Sequence, residues 1–349
     1  MTTLNTPSML VTTSLFITAV SFILLFTVRL TDAQTGVSYG KIANNLPSSQ
    51  DVANLYIYNG IKAMRLYFPD QSTSQALQGT DVKLMLGVAN ENIQSIASCR
   101  CAAYRWVRAN VLPYASSIKY IVVGNEIDPS DQRALSVAPA IQNILYALNA
   151  LRLNSKSNND IKVSTAINFN LVTNTYPPSN AQFRDPSYMS QIVGLMNMYD
   201  APLMVNIYPY FAYVSNPRDI SLDYALFNAQ GNVFVDPNNG LGYNNLFDAM
   251  VDSVYAALRR AGARHPRVIG SETGWPSKGG FAATFENAKM YYRNLVNHVK
   301  QGTPLTPGQP IETYLFAMFD ENQKQGAETE RNFGLFYPNQ QSKYGQLNF

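Results

Sequence analysis

A parallel (β/α)8 barrel, one domain with a small insertion after the sixth strand, is the α/β fold the sequence predicts, and three observations predict it. Eight short β-rich runs recur, at 36–40, 63–68, 83–88, 120–126, 161–168, 202–208, 268–274 and 312–321. The stretches between them carry apolar residues at helical spacing, and strand followed by helix, eight times over, is the order that closes such a barrel. The third observation is where the polar residues fall. Glu126, Asn206, Tyr208, Glu272 and Glu321 all lie at or near the ends of runs, where this fold gathers its site. An open doubly wound sheet is the competing arrangement, but its nucleotide-binding form needs a glycine-rich loop after the first strand, and none follows 36–40.

Taken in order, the chain opens on an apolar, uncharged segment at 10–28, followed by Arg29 and a small-residue junction at Ala33-Gln34. A cleaved secretory signal over 1–33 is expected, leaving 34–349 as the barrel domain. An uncleaved anchor is the alternative, since the run approaches the length that spans a bilayer and no Lys or Arg precedes it. No second long apolar segment occurs, so no membrane association is expected after cleavage. Ser48 with Asp51 caps a first helix running through Leu55. Ile141, Ile144, Leu145, Leu148 and Leu151 form a helical stripe after Pro139. Leu246, Phe247, Met250, Val251, Val254 and Leu258 form another, closed by Gly262, and Phe285, Ala288, Tyr292, Leu295 and Val299 a third, stopped by Gly302 and Pro304. The gap between Phe211 and Val268 exceeds a usual connection, and its Tyr, Phe, Asn and Pro content predicts an ordered insertion beside the site.

Composition narrows the function. With 14% charged residues against 22 Tyr and 17 Phe, the chain is rich in flat apolar faces and neutral hydrogen-bonding groups, which suits a neutral polyhydroxylated ligand. A net charge of +3, with the positives scattered, argues against nucleic acid. Neither His265 nor His298 sits near a Cys, Asp or Glu at metal-ligand spacing, so no metal and no cofactor are expected, and His298 is assigned a structural place near a helix end. Cys99 and Cys101 stand too close for an easy intrachain disulfide across regular backbone.

The chemistry follows from two runs of one design. Tyr120-Ile-Val-Val-Gly-Asn-Glu126 and Val268-Ile-Gly-Ser-Glu-Thr-Gly-Trp-Pro276 each carry a buried-strand pattern into a glutamate, the second beside an indole. Strands four and seven of an eight-stranded barrel face each other across part of the mouth, so Glu126 and Glu272 can flank one bond. Glycoside hydrolysis needs such a pair, one carboxyl to protonate the leaving oxygen and one to attack the anomeric carbon. Glu126 is assigned acid/base and Glu272 nucleophile, with Asn125 placed to bond a sugar 2-hydroxyl. Tyr39, Tyr208 and Phe319 are the expected sugar-binding faces, with Asn206 among the polar residues of the mouth. Glu321 and Lys324 form either a charged border to the site or a surface ion pair.

At these residues the chain resembles the plant endo-β-1,3-glucanases of glycoside hydrolase family 17, from Gly36 to Phe349. The resemblance is carried by Gly36-Val-Ser-Tyr-Gly40, Asn44-Asn-Leu-Pro47, Met64-Arg-Leu-Tyr67, Val123-Gly-Asn-Glu126, Lys162-Val-Ser-Thr-Ala166, Val205-Asn-Ile-Tyr-Pro-Tyr210, Gly270-Ser-Glu-Thr-Gly-Trp-Pro276 and Phe316-Ala-Met-Phe-Asp-Glu-Asn-Gln-Lys324. It implies a (β/α)8 fold and retaining hydrolysis of internal bonds in β-1,3-glucans such as callose or fungal wall glucan. It also implies Glu126 as acid/base, Glu272 as nucleophile, and Glu321, Lys324 and Glu330 as supporting charges. Ser38 and Phe68 stand where the family often has Cys and Asp, and Thr273 where Ser is common, so Phe68 is expected to alter an outer wall of the cleft. The chain lacks the tail of vacuolar members, which favours secretion to the extracellular space; a monomer is expected, and no Asn-x-Ser/Thr acceptor for N-glycosylation is present. A β-1,3-1,4-glucanase using the same two glutamates is the rival enzyme, and a catalytically silent glucan-binding protein the rival from another class. A phosphate-handling barrel is disfavoured, because no glycine-rich anion loop is evident near strands seven and eight.

Overall fold

Eight parallel strands close on one another in the computed structural model, which describes residues 35–154 and 161–349. The 10–28 segment and the junction at Ala33-Gln34 lie outside the described residues. The strands are β1 (Thr35–Ser38), β2 (Ala63–Leu66), β3 (Lys83–Val88), β4 (Ile118–Asn125), β5 (Lys162–Asn168), β6 (Leu203–Asn206), β7 (Val268–Thr273) and β8 (Thr313–Leu315). Each pairs with its sequence neighbours, and β8 closes the ring onto β1 through Thr35 opposite Thr313.

Side-chain alternation along the strands makes two apolar layers. Ala63, Met85, Tyr120, Val122, Ala166, Met204, Ile269 and Tyr314 point inward and fill the barrel. Met64, Leu84, Leu86, Ile121, Val123 and Val205 belong to the larger core between sheet and helices. At the end of the barrel away from the site, Glu312 accepts from the Tyr120 hydroxyl at 2.8 Å and the Tyr314 hydroxyl at 3.0 Å and pairs with Lys119 at 2.8 Å.

The helices form where pattern and caps predict them, with informative differences. Ser48 caps helix Ser49–Tyr58 by accepting from the Asp51 amide. The stripe following Pro139 belongs to helix Ala134–Ala150, which begins five residues before the proline. Pro139 falls just beyond the first turn, where it removes one ladder bond, and the burial of Val137, Ala138, Ala140, Ile141 and Ile144 outweighs that loss. His298 closes helix Phe285–His298 and bonds Asp248 at 2.8 Å, a structural place.

Two local expectations change. The run at 312–321 is a strand only over Thr313–Leu315. Beyond Leu315 the pairing becomes irregular: Phe316 N–H bonds Thr273 of β7 and Met318 N–H bonds Ser38 of β1, both at 2.8 Å, while Ala317 N–H turns to Phe333 at 3.0 Å, so Glu321 is carried by a loop. Cys99 and Cys101 are joined in a disulfide. Cys99 is extended (φ −147°, ψ 124°) at the break between helices Ile93–Ser98 and Arg100–Asn110. Regular backbone is interrupted there, and the Cα atoms lie 5.1 Å apart, within bridging range. The insertion after β6 is ordered: helices Pro209–Ser215 and Leu222–Ala225, a hairpin of Phe234–Val235 with Gly242–Tyr243, then helix Leu246–Arg260. A second hairpin, Val172–Thr173 with Gln182–Phe183, follows β5 and has no strong signal in the sequence.

Candidate active site

A cleft of about 660 Å³ lies at the C-terminal ends of the strands, and Asn125, Glu126, Asn206, Tyr208, Glu272, Glu321, Lys324 and Glu330 all line it. Backbone irregularities aim the two central glutamates. The β4–β5 register shifts between Val122 and Asn125, and the β6–β7 register shifts between Gly270 and Glu272. Such bulges turn a side chain away from the alternation of its strand. Gly124 has φ +79° and Glu126 itself has φ 55°, so the chain turns left-handed as it leaves β4. At Gly124 a Cβ would sit 2.8 Å from Ile93 Cδ1, and glycine avoids both that clash and the φ strain. Glu126 bears the strain, stabilised by its N–H bond to Ala166 at 2.8 Å.

Glu272 is held by donors on both oxygens. The Tyr67 hydroxyl donates to Oε1 at 2.8 Å, the Tyr208 hydroxyl donates to Oε2 at 2.7 Å, and Arg65 Nη1 lies 3.0 Å from Oε1. Burial, reinforced by the charge of Glu272, pushes both tyrosine hydroxyls well above their ordinary range, so they remain protonated donors.

Glu126 occupies a different environment. It opens to cleft solvent and accepts from Asn206 Nδ2 at 2.8 Å. Partial burial within the mouth raises its pKa first, the charge of Glu272 adds to the rise, and hydrogen bonds from Asn206 and Asn168 oppose it. The net direction is upward, tempered by the solvent in the cleft. In Glu272→Gln the second contribution vanishes, so the Glu126 carboxyl is expected to titrate at lower pH than in the wild type, as carbon NMR of labelled glutamate would show.

Arg65 joins the two carboxylates' surroundings. Buried in mid-strand, it donates from Nη1 to Asn206 Oδ1 at 3.0 Å and to Ser271 O at 2.7 Å, and from Nη2 to Asn125 Oδ1 at 2.7 Å. Ser271 Oγ also donates to Asn206 Oδ1, at 2.8 Å. These bonds orient both amides: Asn206 turns its NH2 toward Glu126, and Asn125 keeps its Nδ2 without a protein acceptor among the described residues.

The border charges are a network rather than a surface pair. Lys324 lies 3.0 Å from Glu330, 3.7 Å from the buried Glu321, and 4.4 Å from the centroid of the Phe316 ring. Burial raises the pKa of Glu321, and the Ile42 N–H, donating at 3.0 Å, and Lys324 oppose it. A Cβ on Gly40 would sit 1.9 Å from Glu321 Oε1, so only glycine leaves room for this carboxyl.

Tyr39 and Phe319 are not brought to the cleft. Both are 2% exposed and pack edge to face at 6.1 Å in the core. Trp275 is likewise fully buried, its Nε1 donating to Ala282 O at 2.9 Å and its ring packed edge to face on Tyr210 at 5.1 Å, so the indole does not line the cleft. The aromatic faces of the cleft are instead Tyr67, Phe68, Phe169, Tyr208, Phe211, Phe316 and Phe333. Tyr67 and Arg65 lie within Met64-Arg-Leu-Tyr67, where a cation interrupting an apolar strand was the available signal. Among the described residues no group of His, Cys, Asp or Glu could hold a metal ion, and no helix is long and apolar enough to cross a membrane.

The family model described as glycosyl hydrolases family 17 matches residues 35–349. A glucan endo-1,3-beta-glucosidase of Vitis vinifera is 48% identical over 335 residues, covering 94% of this chain and 95% of that one. The basic isoform of Phaseolus vulgaris is 49% identical over 318 residues, covering 89% of each. Among solved structures, one from a study of two plant beta-glucan endohydrolases with distinct substrate specificities superimposes with a TM-score of 0.84 at 42% identity, covering 90% of this chain and 100% of that one. The chain belongs to glycosyl hydrolases family 17.

Proposed function

We propose that this chain hydrolyses internal β-1,3-glucosidic bonds of β-1,3-glucans by a retaining double displacement, with Glu272 as nucleophile and Glu126 as acid/base. The observation that carries the assignment of roles is the unequal environment of two carboxyls in one cleft. Glu272 is gripped by Arg65 and two tyrosines, while Glu126 is open to the cleft, is bonded by the neutral amides of Asn206 and Asn168, and has a raised pKa. A carboxyl with a raised pKa suits the acid role, and one whose two oxygens are held in place by donors suits attack.

In the first step Glu272 attacks the anomeric carbon. The glycosidic bond breaks, its oxygen takes the proton of Glu126, and the shortened chain leaves. In the second, Glu126 removes a proton from water, the oxygen of that water replaces Glu272 at the anomeric carbon, and both carboxyls return to their starting states. Asn125 offers its free Nδ2 to the 2-hydroxyl of the sugar being cleaved, and Tyr208 and Phe316 offer faces to the rings beside the cleaved bond. The curated relatives named above are glucan endo-1,3-beta-glucosidases, which supports the β-1,3 linkage. Proton NMR of a fresh hydrolysate is expected to show the β-anomer first; initial appearance of the α-anomer would overturn the double displacement.

The same reading takes the chain to be secreted and to act as a monomer. The apolar segment at 10–28 supports export, and so does the Cys99–Cys101 disulfide, a bond that persists in oxidising compartments. The site draws every group it needs from one chain. A secreted protein beginning at Gln34 on N-terminal sequencing is the expected result, whereas retention of residues 1–33 would point to an anchor.

A further inference from the structure

Phe68 is a large apolar side chain that the catalytic arrangement does not use, yet it is 40% exposed and lines the cleft. Single exposed apolar side chains are ordinary on a protein surface, but this one stands on the wall of the catalytic cleft, where a bound sugar ring can cover it. Phe211, also exposed in the cleft, is packed against Tyr208 at 5.3 Å, Tyr210 at 5.2 Å and Phe333 at 6.3 Å. Phe68 has no aromatic partner among the described residues.

Its backbone is nevertheless fixed from both sides. Tyr67 before it is tied to Glu272 through its hydroxyl at 2.8 Å. Pro69 after it restricts Phe68 to extended conformations. Asp70 then caps helix Gln71–Ala76 by accepting from the Thr73 N–H at 2.7 Å and pairs with Lys41 at 2.5 Å, bridging the loops after β1 and β2. A backbone held in this way leaves only the side-chain rotations of Phe68 to be ordered when the ring is covered. Ile42, 47% exposed and also lining the cleft, extends the apolar surface on the β1 side. Phe169 and Phe211 line the cleft from beyond β5 and β6, across the mouth from the β2 loop.

We propose that Phe68, flanked by Ile42, is the platform of an outer glucose subsite on the β1–β3 side of the cleft. There it stacks against one ring of a bound β-1,3-glucan and makes kcat/KM depend on chain length through KM. This rests on the functional reading above and adds to it the residue that sets the reach of the cleft on that side. Stacking on a fixed ring is bound equally in ground and transition states, so its loss acts on KM and not on kcat.

The test compares wild type, Phe68→Ala and Phe68→Trp on a ladder of β-1,3-gluco-oligosaccharides of increasing length. Expected is a step in the wild-type kcat/KM once the chain is long enough to reach Phe68. In Phe68→Ala that step is lost, about tenfold in KM at unchanged kcat, equivalent to ~1.4 kcal/mol. The shortest cleaved oligosaccharide is unaffected, and Phe68→Trp restores the step. Equal losses at every length, a fall in kcat, or no change in Phe68→Ala would each overturn the platform. Absence of hydrolysis at every length by the wild type would overturn the functional reading instead, and the subsite with it.

Discussion

Glu272→Gln is expected to lower kcat on a linear β-1,3-glucan by about 10⁴-fold or more while binding of the polymer persists, since the variant keeps the shape of the cleft and loses only the attacking oxygen. The amide can still accept from Tyr67 and Arg65, and the Tyr208 hydroxyl, 2.7 Å from Oε2, can rotate to accept from it. The truncation Glu272→Ala makes a sharper statement about the role. Azide, entering the space the carboxylate leaves, is expected to restore turnover and to yield the glycosyl azide of inverted configuration, with Glu126 still protonating the departing oxygen. An azide product of retained configuration would mean that the anion had replaced the acid/base, and the two roles would have to be exchanged.

Arg65→Met is expected to be the most damaging change outside the two glutamates. The guanidinium is 1% exposed and serves Asn125, Asn206 and the carbonyl of Ser271 while lying 3.0 Å from Glu272. Removing it leaves a buried carboxylate and two amides short of a donor, and breaking a buried pair from one side costs about 3–5 kcal/mol. Urea denaturation would read that loss, and kcat should fall with it, because Asn206 then keeps only the Ser271 hydroxyl on its Oδ1 and its NH2 is held less firmly toward Glu126. Arg65→Lys separates charge from geometry. A lysine restores part of the stability, but it lacks the planar fork that reaches both asparagines, so kcat is expected to remain low. Near wild-type stability and turnover in Arg65→Met would show that the network does not organise the site.

Much of this arrangement was legible in the chain, and the reasons differ from residue to residue. Glu126 and Glu272 could be found because apolar runs stop at them, and a parallel barrel makes strand ends a place. Tyr208 and Asn206 followed by the same rule. The rule does not say which way a side chain points: Tyr39, one residue past β1, and Phe319, beyond the short β8, turn into the core and meet each other there. Arg65 escaped because attention to strand ends passes over mid-strand positions. A cation within an apolar strand must find buried partners, and here its partners are the site itself. The register shifts before Asn125 and Glu272 and the left-handed backbone at Glu126 leave no compositional trace except Gly124, because they arise from how neighbouring strands pair. The Cys99–Cys101 bridge was hidden for a related reason, since spacing rules assume regular backbone and the pair sits at a break between helices.

The central claim is that one cleft, through Glu272 and Glu126, cuts β-1,3-glucan internally. The most direct measurement is release of reducing ends and loss of polymer length from three substrates in parallel, a linear β-1,3-glucan, a mixed-linkage β-1,3-1,4-glucan and a β-1,4-glucan, by wild type and Glu272→Gln. Rapid shortening of the first polymer alone, abolished in the variant, is the expected result. Preference for the mixed-linkage polymer would contradict the linkage, and binding without cleavage of any of the three would contradict the catalytic reading.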